Sequence, residues 1–236
     1  MEHQRIEVTQ YDNLNKDAGH FGIEGIFDDI KYGVWQGEIE HLRQMLSEGN
    51  VKGYSASKLK LSAITPCALF NGRRIMPNML NYNRLNILDV DKLSPEELKR
   101  VKALICLCGY TMACFISPSG NGLKVFVRVS TGAEYHKMAF LAVQQFYSAL
   151  TGVEIDPSGK DITRLCFVSY DPDLYYNPDS VVFVPLQDSM QTWPPVGPDK
   201  PVLTGEGDVG RPLVGLLTGN EDSLLNCPGD PLDNVM

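Results

Sequence analysis

The feature that most limits how this chain folds is the hexapeptide Ser117-Pro118-Ser119-Gly120-Asn121-Gly122, set between two apolar runs. Serine, proline, asparagine and glycine in sequence are turn chemistry. The run after the turn, Leu123 to Val129, alternates as a strand does, with Val125, Val127 and Val129 on one face. The run before it, Ile105 to Ile116, holds one or two apolar strand segments. A tight turn between two such runs predicts a β-hairpin. A further apolar run, Leu85-Asn86-Ile87-Leu88, predicts a buried strand over 83–90 that leads into Asp89-Val90-Asp91. Side chains alternate along a strand, so Asp89 and Asp91 point together. Two adjacent carboxylates repel, and a hard divalent cation is a usual way to hold them. Removing both as Asp89→Ala with Asp91→Ala is therefore expected to leave the fold intact.

Around these strands, Glu38 to Leu46 has helical spacing, with Gly49 as its stop. Ser62 to Phe70 predicts a strand running into the Asn71-Gly72 turn. Ser94-Pro95-Glu96-Glu97 predicts a capped helix to about Leu104. Ala133 to Leu150 is amphipathic at helical spacing, with Gly152 as C-cap. Leu165 to Ser169 and Val181 to Val184 predict further strands. The mixture predicts an α+β fold, a mixed or antiparallel sheet with helices packed largely on one face. Residues 1–187 form one domain on this reading, with 1–50 as a helical or irregular N-terminal part. Residues 188–236, rich in proline, glycine and acid, form a tail or linker.

The formal net charge of −8 argues at first against nucleic acid. Its distribution does not. Residues 43–128 carry 13 Lys and Arg against 5 Asp and Glu, while both flanks are acidic. Local potential decides where a polyanion docks. Lys99, Arg100 and Lys102 are accounted for as the end of a solvated helix; Arg73, Arg74 and Arg84 remain as nucleic-acid-binding candidates. The six cysteines have no metal spacing and read as buried free thiols, which suits a reducing cytoplasm. No signal core or membrane-length apolar run is present in the sequence, so a cytoplasmic chain with no membrane partner is expected.

Three polar strings carry the chemistry. Asp89 and Asp91 form the first. Ser117 to Lys124 forms the second, with Gly120 and Gly122 offering backbone N–H groups to an anion, Ser119 a hydroxyl and Lys124 a charge at the start of the next strand. Asp156 with Arg164 forms the third. Each has a plainer explanation: an acidic strand end, a hairpin loop, a turn aspartate before Pro157, and an Arg164–Asp161 salt bridge. Asp171 and Asp173 read as a turn, and the pair Tyr175-Tyr176 as core or a base-stacking surface.

Taken in this order, the strings resemble the archaeo-eukaryotic primase superfamily and, more narrowly, the VirE N-terminal domain family of mobile elements and phages. The similarity runs from Tyr54-Ser55-Ala56-Ser57-Lys58-Leu59-Lys60 through Asp171-Pro172-Asp173-Leu174-Tyr175 and includes Lys60-Leu61-Ser62-Ala63-Ile64-Thr65-Pro66. The resemblance implies a primase-polymerase-like core in which Asp89, Asp91 and Asp156 are catalytic and bind Mg2+ or Mn2+. Ser117, Ser119, Gly120, Gly122, Lys124, Arg164, Lys58 and Lys60 would bind substrate. Lys58 and Lys60 share a face if the chain there is extended. Lys124 stands where the superfamily usually has histidine. The implied reaction is nucleotidyl transfer from a nucleoside triphosphate on a single-stranded DNA template, with a helicase in trans or on a longer chain as partner. The rival expectations are a non-catalytic DNA-binding or replication-initiation module, and a nucleotide-sensing or structural domain of a larger mobile-element protein.

Overall fold

The computed structural model describes residues 5–14 and 16–185. The tail expected at 188–236 lies outside the described residues. The fold class is α+β, as expected. Its first sheet has the order β2-β1-β3-β9, built from β1 (Glu7–Asp12), β2 (Lys16–Gly22), β3 (Ala63–Thr65) and β9 (Cys166–Phe167). The second has the order β10-β7-β8-β6, from β6 (Leu85–Val90), β7 (Thr111–Ile116), β8 (Leu123–Arg128) and β10 (Tyr175–Tyr176). A separate hairpin pairs β4 (Ala68–Phe70) with β5 (Met79–Tyr82). All these pairings are antiparallel.

The alternation in β6 and β8 decides the layers. Ile87 and Phe126 face the first sheet and helix α1 (Ile23–Tyr32), in a core centred on Phe27, Phe115 and Phe126. Leu88, Val90, Val125 and Val127 face the other way, onto helices α4 (Pro95–Leu107) and α5 (His136–Thr151). Sheet β10-β7-β8-β6 is thus buried on both faces, which is why β6 is a continuous buried run. The α4 start is the predicted capping box: Ser94 Oγ accepts from Glu97 N and Glu97 Oε2 from Ser94 N. Gly152 ends α5 in the left-handed conformation at φ 71°.

Several boundaries move. Ser62 to Phe70 is two strands, not one, and Ile105 to Leu107 extends α4 rather than starting a strand. Only Cys166 and Phe167 pair in the 165–169 run, and 181–184 contributes an isolated bridge from Phe183 to Val129. The first fifty residues include the β1–β2 hairpin and the helices α1 and α2 (Gln36–Ser47). Short apolar runs are ambiguous between helix and strand until tertiary partners arbitrate. The chain leading to Lys58 is helix α3 (Val51–Lys58) rather than extended, so Lys58 and Lys60 do not share a strand face. No described helix is long and apolar enough to cross a membrane.

Candidate functional site

Asp89 and Lys124 are direct cross-strand partners in the β6–β8 pair. Opposite residues of an antiparallel pair project to the same side. Lys124 Nζ lies 2.5 Å from Asp89 Oδ1, and the two side chains are only 12% and 10% exposed. Arg164 arrives from the other sheet, two residues before β9, and places Nη2 3.2 Å from Asp89 Oδ2. Asp89 is therefore gripped by two cations where the inter-sheet core ends. Arg164 does not bridge to Asp161, whose carboxylate accepts from Thr163 N and Oγ1 instead.

Asp156 is delivered by the β6 edge. Its N–H donates to Asp89 O at 3.1 Å, and the short 3-10 turn that follows lays Gly159 against Ile87 O and the Phe140 ring. Its carboxylate caps that turn, accepting from Ser158 N and Oγ. Arg164 Nη2 stands 4.0 Å from Asp156 Oδ2, and its Nη1 donates to Ser158 O at 3.4 Å. Burial raises the Asp156 pKa, but the Ser158 bonds and the Arg164 charge outweigh it and hold the carboxyl below its usual range.

The glycine turn joins β7 to β8 as the sequence predicts. Gly120 takes a left-handed φ of 81°, and its N–H donates to Ser117 O at 2.9 Å. That N–H closes the turn. Ser117 Oγ lies 2.9 Å from Ser119 Oγ, which donates to Asn121 Oδ1 at 2.6 Å. Arg43 of α2, not anticipated from the sequence, braces the turn from below. It donates to Ser117 O at 3.2 Å and Tyr170 O at 2.9 Å, and lies directly under Gly120. Gly122 is packed tighter still: a Cβ there would sit 2.5 Å from Val90 O, 3.0 Å from Asp91 Oδ1 and 3.1 Å from Ser117 Oγ. Asp91 itself is exposed just beyond the strand end. Gly122→Ala is expected to cost about 1–3 kcal/mol in urea unfolding, because a buried backbone carbonyl must yield. Gly37→Ala, whose methyl meets open space inside α2, is the control expected to be neutral or stabilising.

Lys58 reaches the same place from α3. Asn50 caps this helix, and Tyr54 stands one turn before Lys58, so the two share a face. Lys58 Nζ lies 5.8 Å from the Tyr54 ring centroid and 5.2 Å from that of Phe167 in β9. Burial lowers its pKa, with Lys124 and Arg164 adding to the shift and Asp91 and Asp89 opposing it. For Lys124 burial also lowers the pKa, but the charge of Asp89 and its hydrogen bond prevail, and the net shift is upward. Behind the cluster, burial pushes the Cys166 thiol up to about 12 and keeps it an inert neutral group.

The other candidates are spread out. Lys60 is exposed past the end of α3. Arg73 and Arg74 lie in the β4–β5 loop, and Arg74 donates to Thr163 O, next to Arg164. Arg84 is exposed before β6, at the opposite end of that strand from Asp89. Lys102 does more than finish a solvated helix: it pairs at 2.7 Å with the buried Asp171, which also accepts from Ile116 N and Asp173 N. Arg100 likewise donates to Thr151 O. Tyr176 packs on Phe27 and donates to Glu24.

No group of three or more His, Cys, Asp and Glu side chains near enough to hold one ion is present among the described residues. Asp89 and Asp156 nevertheless flank one cationic nitrogen, Nη2 of Arg164. Magnesium commonly takes one or two carboxylates and completes its shell with phosphate oxygens and water. The described residues offer two carboxylates beside one guanidinium, both oxygens of Asp89 being paired with protein cations.

Two antiparallel sheets around a shared core, with carboxylates and cations gathered at one end, define an α+β domain with a part-buried charge cluster. The chain belongs to the BT4734-like N-terminal domain family, whose model matches residues 56–176, slightly more than half of it. The match corrects the expected membership of the VirE N-terminal domain family and the primase superfamily: the family found is a different one and gives no support for that relationship. Short strings such as Asp-x-Asp and Ser-x-Gly turns recur in unrelated proteins, which is how they suggested the wrong group. The matched segment holds Lys58, Asp89, Lys124, Asp156 and Arg164, while Arg43 and Tyr54 lie before it. No curated protein and no solved structure matches the chain.

Proposed function

We propose that this charge cluster binds the phosphates of a nucleoside triphosphate together with Mg2+ or Mn2+, and that the chain is a nucleotidyltransferase acting on a nucleic-acid template. The observation that carries this is the meeting of three sequence-distant segments, with Asp89 and Asp156 flanking one cation beside Lys124 and the Ser117–Gly122 turn. A metal held by Asp89 and Asp156, with Asp91 at the adjacent strand end, would offset the charge on the phosphates and on the leaving pyrophosphate. Arg164 and Lys58 would bind and orient the phosphate chain. Lys124 pairs with the Asp89 carboxylate and orients it. Arg43 holds the turn in place, and single-stranded DNA would run along the Arg73–Arg74 loop that adjoins Arg164. Among the described residues all five cysteines are free, which suits a reducing cytoplasm.

Calorimetric titration tests this. Wild type is expected to bind a nucleoside triphosphate in magnesium or manganese and to lose most of that affinity in chelator. Asp156→Asn, at a half-exposed side chain, is expected to lose the metal-dependent part. Wild type that ignores triphosphate in both metals overturns the proposal.

One observation favours a second function, a non-catalytic DNA-binding module. Both oxygens of Asp89 are already paired with protein cations, so the cluster is balanced without a metal. Single-stranded DNA binding in the absence of triphosphate, falling steeply with salt and less steeply after Arg73 and Arg74 are neutralised, would favour the module.

A further inference from the structure

We infer that Lys58, held against the rings of Tyr54 and Phe167, is the cation that receives the ligand's phosphate chain, and that Lys124 is not. This rests on the triphosphate proposal only for the identity of the ligand. The cations near the cluster differ in what already holds them. Lys124 is locked to Asp89. Arg164 is shared between Asp89, Asp156 and Ser158 O. Arg43 is spent on two backbone carbonyls and Lys102 on Asp171. Lys58 has no carboxylate within ion-pair distance among the described residues; two ring faces are what it touches.

A ring face holds an ammonium less firmly than a carboxylate does, so Lys58 is the charge most readily released to an incoming anion. Its setting is also unfavourable without one. It is half-buried; burial and the charges of Lys124 and Arg164 disfavour its ammonium, and the pull of Asp91 and Asp89 does not fully offset them. A site that keeps a partly desolvated cation beside like charges gives up stability for binding. A polyphosphate chain supplies the missing negative charge, and an ammonium on a flexible stem suits its several non-bridging oxygens. Tyr54 and Phe167 fix where the ammonium waits. Tyr54 sits beside the glycine turn, where burial raises its pKa while a hydrogen bond to Ser119 and the nearby Lys124 oppose the shift.

The division of labour is tested by separating binding from stability in Lys58→Met and Lys124→Met. Each is titrated with inorganic triphosphate, a nucleoside triphosphate and an oligodeoxynucleotide without terminal phosphates, and each is melted. Lys58→Met is expected to weaken triphosphate binding by about tenfold or more with its Tm unchanged or raised. Lys124→Met is expected to lower the Tm, and Lys58→Arg to restore part of the binding. The inference is overturned if Lys58→Met binds within about twofold of wild type, or if its Tm falls as far as that of Lys124→Met. Should wild type bind only the oligonucleotide, and Lys58→Met lose it, the inference stands on phosphodiesters while the triphosphate proposal fails. Should wild type bind triphosphate and Lys58→Met bind it equally, the inference fails and the proposal stands. Binding of none of the three by wild type overturns both.

Discussion

Asp89→Ala is expected to destabilise the domain by about 3–5 kcal/mol, as removing one partner of a buried charge cluster does. The sequence alone suggests no loss, since removing the two mutually repelling carboxylates together should leave the fold intact. The structure overturns that expectation. Asp89 does not lean on Asp91 for its energetics; it neutralises Lys124 at 2.5 Å and Arg164 at 3.2 Å. Without it, Lys124 is left as a nearly buried ammonium whose nearest counter-charge has gone. The check is urea unfolding of Asp89→Ala against Asp91→Ala, which lies exposed and is expected to change stability by less than about 1 kcal/mol. Asp89→Ala combined with Lys124→Met should recover part of the loss, because the pair leaves together. Equal and small effects of the two single variants would show that the ion pair contributes nothing to the fold.

Acidification should act through His136. This residue opens α5, is 2% exposed, places Nδ1 2.9 Å from Tyr82 Oη and leaves Nε2 without a hydrogen-bond partner among the described residues. Burial pushes its pKa down to about 4, against a weaker upward pull from Asp161. Its place in the first turn of a helix also disfavours positive charge. The sign follows from proton counts. Between pH 6.5 and 4 the unfolded chain binds the proton and the folded one does not, so stability is full above about 6.5 and falls towards 4. The full difference corresponds to about 3 kcal/mol. Urea unfolding at stepped pH should show this loss in wild type and a flatter profile in His136→Phe. Carboxylates titrate in the same window, so the difference between the two profiles is the quantity to read. Parallel profiles would remove His136 as the acid-sensitive group.

Much of the local structure is legible in the chain. The Ser94–Glu97 capping box, the Gly152 cap, the Ser117–Gly122 hairpin and the strand ending at Asp89 are set by neighbours in sequence: a hydroxyl facing an amide three residues on, a glycine free to take positive φ, a period of two. The motif positions were legible for the same reason, as chemistry-bearing residues at turns and strand ends. The family was not. Short polar strings are too common to separate one family from another, and a model spanning 56–176 places the chain elsewhere.

What the sequence determined by itself, then, is the α+β class, most of its elements and the carboxylates and cations worth watching. Partnership was decided only by the tertiary structure. Lys58 and Lys60 would share a face only in an extended chain; the α3 helix sets Lys58 instead against Tyr54 and Phe167. For Arg164 a bridge to Asp161, three residues away, was the plainer of two local readings, and it pairs across the sheets with Asp89. Arg43 and the buried Lys102–Asp171 pair gave no local signal at all. The physical reason is the range of the forces. Capping, turn geometry and side-chain alternation act within a few residues and are written in order along the chain. The energy of a buried charge depends on which opposite charge reaches it through the core, and only the packing of the two sheets brings β6, β8, β9 and α3 close enough to decide that.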